Sequence, residues 1–291
     1  MSVEKAVFPV AGFGTRMLPA TKTIPKEMLP LIDRPIIDYS VREVVDSGIN
    51  NLIFVTSSNK KALEDYFDRN MELERSLEAG KKYDLLKEIR SFSELANITY
   101  VRQPIQKGLG HAISMPKHLI GNDPFAVILP DDVIISDKPV IKQMIECYKE
   151  IKAPVIGLME VDKKDASKYG IVSIEKKINN RLFKLSDMVE KPETDPPSNY
   201  AIIGRYILTS NILHNIEEIE EGALGEVQLT DALKKEAEKG EIYGYVFEGN
   251  RYDCGNKIDY LRAIIELAYN KHELKEELYN IINMLGFKNG K

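Results

Sequence analysis

The stretch that decides the fold is Lys5-Ala-Val-Phe-Pro-Val-Ala-Gly-Phe-Gly-Thr-Arg16. Its first half, Lys5 to Val10, is an apolar run that predicts the first strand of a sheet. Gly12 and Gly14 follow directly. Glycines at the carboxyl end of a strand let backbone amides approach a ligand closely, and such amides suit phosphate oxygens. We therefore expect a nucleotide-binding loop after the first strand.

This loop departs from two familiar phosphate-binding signatures. The dinucleotide fingerprint needs a third glycine where the chain has Met17, and the P-loop needs a Gly-Lys-Ser/Thr triplet that is missing here. Taken alone, the glycine pair could mark a mere tight turn. Arg16 and Lys26 change that balance, because a guanidinium and an ammonium on one loop can clamp a polyphosphate. We expect both side chains to be exposed.

Outward from this loop, aliphatic runs alternate with amphipathic stretches as far as about residue 153. The alternation predicts a parallel, doubly wound sheet flanked by helices. The predicted strands are Leu52–Thr56, Ile98–Arg102 and Phe125–Leu129. The predicted helices are Ile36–Ser47 and about 60–77, 78–96, 110–119 and 138–151. Residues 60–90 hold eight basic and eight acidic side chains, which favours a solvated helix face over a partner-binding arm.

Beyond residue 153 the predicted strands come at closer spacing, which indicates a mixed or antiparallel extension of the sheet. They are Val155–Val161, Ile171–Glu175, Arg181–Val189 and Tyr200–Leu208. Helices near 210–220 and 228–239, the strand Ile242–Phe247 and a helical tail over about 256–286 follow. We expect one catalytic domain, 1–255, and a C-terminal tail, 256–291. The tail's apolar stripe is either an oligomer surface or core: Leu261, Ile264, Ile265 and Ala268.

Composition narrows the class of protein. With 291 residues, 43% of them hydrophobic, the chain can bury a core without disulfides. A net charge of -5 disfavours nucleic acid as a partner, and the longest apolar runs are too short for a membrane span. The only cysteines, Cys147 and Cys254, lie too far apart in sequence for a metal or redox motif, and we expect Cys254 to serve packing. No segment has the pattern of a signal peptide, so we expect a cytoplasmic location.

Five further motifs follow the loop, and the loop motif itself extends to Pro30. They are Gln103-Pro104 with Gly108-Leu-Gly-His-Ala112, Leu129-Pro-Asp-Asp132, Val189-Glu-Lys-Pro192, Leu224-Gly-Glu-Val-Gln-Leu-Thr-Asp231 and Tyr252-Asp-Cys-Gly255, together with the extended loop string Arg16-Met-Leu-Pro-Ala-Thr-Lys-Thr-Ile-Pro-Lys-Glu-Met-Leu-Pro30. This set resembles the sugar-nucleotide pyrophosphorylases, and within them the bacterial UTP:glucose-1-phosphate uridylyltransferases. The resemblance covers nearly the whole chain. It implies an α/β fold with a Rossmann-like, GT-A-like mixed sheet and a helical C-terminal appendage.

The resemblance also implies roles for individual residues. The residues implied to face the nucleotide are Ala11, Gly12, Gly14, Gln103 and Gly108. Among them, Gln103 is implied to contact the base edge and Gly108 to leave room for the base. Those implied to act on the phosphates and the reacting groups are Arg16, Lys26, Asp131 and Lys191. Those implied to bind the sugar or its phosphate are Gly170, Glu190, Lys191 and Gly204. Asp131 and Asp253 are implied to bind a divalent ion, normally Mg²⁺.

The residue chemistry agrees with these roles and leaves some alternatives open. Asp131 and Asp132 follow an apolar strand at the edge of the sheet where open α/β folds bind ligands. Mg²⁺ accepts one or two carboxylates plus phosphate oxygens. Asp132 could instead form an Asx-turn or cap the next helix, and the neighbouring Glu190 and Lys191 could be a surface ion pair. His111 is expected to cap a helix or pack.

The implied reaction is attack by the phosphate oxygen of glucose 1-phosphate on the α-phosphorus of UTP, giving UDP-glucose and pyrophosphate (EC 2.7.7.9). The nucleophile is already ionised, so neither a general base nor a covalent intermediate is needed, and the protein positions the groups and neutralises charge. The alternatives are a thymidylyl or other sugar-nucleotide pyrophosphorylase and a catalytically silent sugar-nucleotide-binding regulator. We expect a homodimer or homotetramer.

Overall fold

The computed structural model describes residues 2–219 and 225–286, so the motif residue Leu224, residue 220 of a predicted helix and residues 287–291 of the predicted tail lie outside it. The strands within this part are β1 Lys5–Pro9, β2 Pro30–Leu31, β3 Arg34–Pro35, β4 Asn51–Thr56, β5 Asn97–Arg102, β6 Phe125–Ile128, β7 Asp132–Ile135, β8 Val155–Glu160, β9 Gly170–Lys177, β10 Leu182–Glu190, β11 Tyr200–Leu208, β12 Tyr243–Val246 and β13 Asn250–Asp253. The helices are α1 Ile36–Asp46, α2 Lys61–Phe67, α3 Met71–Ala79, α4 Tyr83–Ser93, α5 Leu109–Ser114, α6 Lys117–Ile120, α7 Val140–Ile151, α8 Asn211–Glu217, α9 Leu229–Glu238, α10 Lys257–Asn270 and α11 His272–Met284.

The main sheet is mixed and runs in the order β5-β4-β1-β6-β11-β8-β12-β10-β9. The first four strands are parallel, as the alternating pattern predicts. Strand β11 is antiparallel to both of its neighbours, β6 and β8, and β10 is antiparallel to β12 and β9. The predicted mixed α/β architecture is therefore confirmed.

Both faces of the sheet are covered. In β1, Ala6 and Phe8 belong to one buried apolar cluster and Val7 to a second one on the opposite face, and all three are fully buried. Successive side chains of a strand point to opposite faces, so an uninterrupted apolar strand needs a layer of helices on each side. This double burial explains why the sequence signals the parallel strands so clearly.

Some helix bounds differ from the prediction. The stretch 60–77 forms two helices, α2 and α3, because the backbone becomes extended at Asp68 and the Asn70 side chain caps α3 by accepting from the Leu73 amide at 3.0 Å. Met71 is consequently exposed, although its spacing from Leu63 matches the buried helix face. Pro116 likewise separates α5 from α6.

The C-terminal tail is two helices that break at Lys271, where the backbone is extended. Helix α10 packs against the body of the protein through Ala263, which is fully buried in a third apolar cluster with Met17 and Tyr252. Helix α10 begins at Lys257, close to the predicted start of the helical tail at about residue 256. The division into a catalytic domain and a tail stays a prediction. No helix in residues 2–219 and 225–286 is long and apolar enough to cross a membrane.

Candidate active site

Two cavities of about 420 and 750 Å³ meet at the carboxyl ends of the parallel strands. The residues that line both are Thr15, Leu109, Leu129, Asp131, Glu226 and Gln228. The predicted site residues in the smaller cavity, here called the loop cavity, are Ala11, Gly12, Gly14, Lys26, Gln103, Gly108 and Asp131. Those in the larger one, the sheet cavity, are Arg16, Asp131, Gly170, Glu190, Lys191, Gly204 and Asp253. The structure therefore brings together all of the predicted site residues, with Asp131 between the two groups.

The loop after β1 is shaped by its glycines. Gly14 has a φ of +67°, in the left-handed region that favours glycine, and its carbonyl accepts a hydrogen bond of 2.8 Å from the Thr21 hydroxyl. A Cβ added at Gly12 would meet no atom within 4 Å, so this residue leaves the wall of the loop cavity open to a ligand. Two short 3₁₀ turns then bring the chain back to Lys26, which begins a third.

The prediction that both loop cations are exposed is wrong for Lys26. Its side chain is 18% exposed, whereas that of Arg16 is 60% exposed. The folded loop places Gly14 against the Lys26 side chain, since a Cβ on Gly14 would lie 3.1 Å from the Lys26 Cβ. Sequence position alone did not reveal that the loop folds back over its own lysine.

The two cations neutralise the two predicted metal ligands. The Lys26 Nζ lies 2.6 Å from Asp131 Oδ2, and Arg16 lies 3.4 Å from Asp131 and 3.5 Å from Asp253. Burial disfavours both charged forms, but the mutual attraction outweighs it: the pKa of Lys26 is raised and the pKa of Asp131 is lowered. We refer to Arg16, Lys26, Asp131 and Asp253 as the site cluster.

A two-stranded ladder brings Asp253 to Asp131. Strands β7 and β13 pair antiparallel, with Asp132 opposite Asp253, and the Cys254 amide donates to the Asp131 carbonyl at 2.8 Å. Both strands are only four residues long, and the sequence patterns did not predict them as a pair. The resemblance did identify the two aspartates, but the reason for their convergence became clear only from the structure.

Gly255 shows how tightly the two carboxylates converge. A Cβ at this position would lie 2.8 Å from Asp131 Oδ2 and 2.9 Å from Asp253 Oδ1, and it would also collide with the Arg16 guanidinium. The two oxygens are therefore less than about 6 Å apart, a separation that one ion with ligands at about 2.1 Å can bridge after small side-chain rotations. Any side chain larger than hydrogen here would push this group apart.

Asp132 has a structural position beneath the site. It is buried and accepts hydrogen bonds from the Gly204 amide at 2.9 Å and from Arg251 Nε at 2.7 Å. The alternative that Asp132 caps the next helix is wrong, because it starts β7 and the next helix begins at Val140. A Cβ on Gly204 would lie 2.7 Å from Asp132 Oδ2, so glycine at this position admits the carboxylate.

A second buried charge pair, absent from the sequence prediction, lies below the same turn. Arg205 is fully buried and forms a bidentate ion pair with Glu43, the shortest contact being 2.7 Å. It also donates to the carbonyls of Leu129, Gly204 and Asp132 at 3.1, 3.0 and 2.8 Å. Arg205 thereby fixes the backbone on both sides of Asp131.

One wall of the loop cavity contains Gln103 and Gly108, the residues predicted to face the base. Gln103 follows β5, is 3% exposed, and places its amide nitrogen 2.8 Å from His111 Nδ1. Gly108 has a φ of +92°, and a Cβ there would lie 2.8 Å from the Val227 carbonyl oxygen. Because Val227 pairs with this loop through its amide and the Lys107 carbonyl at 2.7 Å, the missing Cβ of Gly108 admits the Val227 backbone.

The sheet cavity presents a carboxylate and an ammonium side by side. Glu190 ends β10 and accepts a hydrogen bond of 2.9 Å from the Thr230 hydroxyl, and Lys191 Nζ lies 3.4 Å from the Glu190 carboxylate. Lys191 has a φ of +46°, a left-handed conformation rare for a side-chain-bearing residue. The two residues do form an ion pair, as the alternative reading proposed, but they form it at the wall of a cavity.

Cys254 is buried, and burial together with the nearby Asp131 raises the pKa of its thiol, which confirms a packing role. Among the residues that the structure describes, no group of three or more histidine, cysteine or acidic side chains could hold a metal ion. Any metal here would rest on two carboxylates and on ligand oxygens, the mixture that Mg²⁺ accepts.

The sequence and the fold are both similar to those of known proteins. The model of the Nucleotidyl transferase family matches residues 5–270. The chain belongs to the nucleotidyl transferase family. Enzymes of this family typically use a divalent metal ion. A relative from Staphylococcus epidermidis, named UTP--glucose-1-phosphate uridylyltransferase, is 47% identical over 97% of this chain and 98% of its own length.

Two solved structures support the family at the level of the fold. A UTP-bound UGPase from Acinetobacter baumannii is 40% identical, with a TM-score of 0.90 over 98% of this chain and all of that one. A UDP-glucose pyrophosphorylase complexed with UDP-glucose is 43% identical, with a TM-score of 0.84 over 92% of this chain and all of that one. The nucleotidyl transferase fold thus extends over nearly the whole chain.

Proposed function

We propose that the chain transfers a uridylyl group from UTP to glucose 1-phosphate, giving UDP-glucose and pyrophosphate. The observation that supports this most directly is the pair of cavities that meet at Asp131, with cations in each. Such a pair suits two anionic substrates whose phosphates must meet. The relatives bearing this activity in their names, and the neighbours bound to UTP and to UDP-glucose, span nearly the whole chain.

The loop cavity is assigned to UTP. Its glycine-rich wall, at Ala11, Gly12 and Gly14, offers backbone amides and open space, and Lys26 lies at its floor beside Asp131. Gln103 would read the base edge, because an amide has both a donor and an acceptor. Gly108 would contribute indirectly, because its missing Cβ lets the Val227 backbone pack against this wall of the cavity.

The sheet cavity is assigned to glucose 1-phosphate. Lys191 would bind the sugar phosphate and Glu190 the sugar hydroxyls, since a carboxylate accepts well from hydroxyl groups. Gly170 and Gly204 would leave room for the ring. A Cβ on Gly170 would lie 3.1 Å from the Glu190 carboxylate, so a larger residue would displace the group that binds the sugar.

Asp131 and Asp253 fit a magnesium ion. Their oxygens lie less than about 6 Å apart, so small side-chain rotations would let one ion contact both, and cations of the loop after β1 neutralise both carboxylates. When bound, Mg²⁺ would neutralise phosphate charge at the α-phosphate. Lys26 and Arg16 would then be available for the phosphate oxygens, because their carboxylate partners would be engaged elsewhere.

The chain's own residues position the reactants for in-line attack. Lys191 brings the sugar phosphate towards UTP against charge repulsion, and Lys26 and Arg16 stabilise the charge that accumulates on the departing pyrophosphate. No side chain needs to remove a proton, because the attacking phosphate is already ionised near neutral pH. Asp131 lies where both cavities meet, orients Lys26 and Arg16, and would be one of the two residues that hold the metal ion.

The exposed apolar face of the tail is assigned to self-association as a homodimer or homotetramer. The predicted stripe divides, since Ile264 packs on the third apolar cluster while Leu261 and Ile265 are exposed. Light scattering on the unaltered chain and on Leu261→Glu tests this, and a monomer in both would refute it. A cytoplasmic location stays a prediction.

The decisive assay for the reaction is pyrophosphate release from UTP and glucose 1-phosphate in the presence of Mg²⁺. We expect release only when both substrates are present and a slower reaction with dTTP or with other sugar phosphates. Equal or faster release with dTTP would favour thymidylyl transfer. Binding of UDP-glucose with no release from any pair would favour a silent regulator.

A further inference from the structure

The side-chain amide of Gln103 is oriented by two acceptors on α5 and the loop before it. Its nitrogen lies 2.8 Å from His111 Nδ1 and 3.4 Å from the Gly108 carbonyl oxygen. A carbonyl can only accept a hydrogen bond, so the group facing it must be the amide NH₂. The same orientation requires His111 to accept through Nδ1, with its proton on Nε2.

This orientation leaves the amide oxygen of Gln103 for the ligand. Among the described residues no donor reaches that oxygen, and it is not one of the fully buried atoms that lack a partner. Gln103 lines the loop cavity. Rotating the amide by 180° would place its oxygen against the Gly108 carbonyl, which loses that hydrogen bond, and would require the His111 proton to move from Nε2 to Nδ1.

We propose that His111 is a positioning residue that sets nucleotide specificity by fixing Gln103 with its acceptor towards the base. Uracil has a donor at its N3–H, whereas the N3 of cytosine is an acceptor, so a fixed amide oxygen favours UTP over CTP. A free amide would rotate and serve either base. This inference rests on the proposed function, in which Gln103 faces the base of UTP.

His111 suits this role because backbone hydrogen bonds hold helix α5 in place. The Gly110 amide donates to the Val227 carbonyl at 2.9 Å, and the Ser114 hydroxyl donates to the His111 carbonyl at 2.9 Å. Gly110 has no Cβ that would collide with Val227, since one would lie 2.9 Å from its carbonyl oxygen. These two hydrogen bonds therefore fix the backbone that carries the imidazole.

The test compares two substitutions that differ only in the acceptor. His111→Leu removes it, and His111→Asn keeps an oxygen near the position of Nδ1. We expect the UTP-to-CTP ratio of kcat/KM to fall about tenfold in His111→Leu, the worth of one hydrogen bond in the fixed amide, and to be largely retained in His111→Asn. Circular dichroism and thermal melting confirm that both variants are folded.

A double-mutant cycle separates positioning from a general structural effect. If His111 acts through Gln103, then adding His111→Leu to Gln103→Leu should change the ratio by less than about twofold. An unchanged ratio in a folded His111→Leu, an equal loss in His111→Asn, or an additive effect in the double variant would each overturn the inference.

Dissociation constants for UTP and CTP are measured beside turnover. These constants test the inference even without catalysis. The ratio of the CTP constant to the UTP constant should fall in His111→Leu and be largely retained in His111→Asn, as for kcat/KM. UTP binding without pyrophosphate release would contradict the proposed function alone. No binding of UTP to the unaltered chain would overturn both.

Discussion

The turn from Leu129 to Asp132 has a charge cluster on each side, and the two clusters differ in how firmly they are bonded. On the inner side, Arg205 makes its contacts with Glu43 and with three backbone carbonyls, all between 2.7 and 3.1 Å. On the cavity side, Lys26 has one carboxylate partner, Asp131, at 2.6 Å, whereas Arg16 contacts its two carboxylates only at 3.4 and 3.5 Å and is 60% exposed. The inner arginine thus has four fixed partner groups in the fold, whereas the cations on the cavity side have only carboxylates as partners among the described residues.

The difference indicates which charges serve the fold and which serve the ligand. A buried guanidinium that satisfies fixed carbonyls cannot change partners without leaving them unpaired. Arg16 and Lys26 neutralise two carboxylates that would otherwise repel each other. A metal ion can replace the two cations as partner of the carboxylates, and phosphate oxygens can replace the carboxylates as partners of the cations. We therefore expect substitutions of the inner cluster to reduce stability and those of the site cluster to reduce turnover.

The largest effect is expected for Asp253→Asn. Loss of one of two carboxylate ligands should reduce turnover at saturating Mg²⁺ by about a thousandfold or more, because the ion supplies several kcal/mol of charge stabilisation. The melting temperature should hardly change, since the substitution relieves repulsion with Asp131. Asp137→Asn, on the exposed segment after β7, is the matched control and should keep its turnover. Near-normal activity of Asp253→Asn would remove this residue from the metal site.

For the inner cluster we expect the opposite pattern. Arg205→Met should destabilise the fold by about 3–5 kcal/mol, measured by urea unfolding, because the buried Glu43 would lose its cation and keep only the hydrogen bond from the Ile141 amide. Lys117→Met breaks an exposed pair with Glu217 and should cost less than about 1 kcal/mol. Equal losses in the two variants would contradict the distinction between the clusters.

Lys26→Ala should lower turnover by roughly 10² to 10³, the scale of one preorganised contact in the transition state. The reason is that its ammonium lies at the floor of the loop cavity. Lys22→Ala changes an exposed lysine of the same loop and serves as the control. A folded Lys26→Ala with ordinary turnover would show that Lys26 only neutralises Asp131.

The smallest effect concerns a third cluster, outside both cavities. Hydrogen bonds from Arg69 and Arg90 lower the pKa of Glu74 from 4.5 to about 2. A carboxyl whose pKa is lowered by folding stabilises the protein above its unfolded pKa, and this contribution is lost as pH falls from about 4.5 towards 2. Urea unfolding of Glu74→Gln should therefore differ from the parent at neutral pH and converge with it in acid, while turnover at neutral pH is retained. A difference that is independent of pH would contradict this.

The sequence predicted the parts of this molecule in which local pattern and burial agree. Strands β1, β4 and β6 are apolar on both faces, so their short uninterrupted apolar runs were visible in the sequence. The loop with Gly12 and Gly14 was recognisable because its residue types are restricted by backbone conformation and by phosphate chemistry.

The rest depends on contacts between distant segments. The β7–β13 ladder consists of two four-residue strands, too short for a periodic signal, yet it positions Asp253. Nothing in the pattern around Arg205 indicates that its guanidinium is buried against Glu43, 162 positions away. The burial of Lys26 likewise follows from the tertiary path of its loop.

We expect the site cluster to exchange its partners when the substrate binds. A crystal structure of the chain with Mg²⁺ and a non-hydrolysable UTP analogue tests it most directly. We predict one ion between Asp131 and Asp253, with Lys26 Nζ and Arg16 on phosphate oxygens. Asp131 still paired with Lys26 at 2.6 Å, with the two carboxylates more than about 8 Å apart and the ion bound elsewhere, would contradict the account.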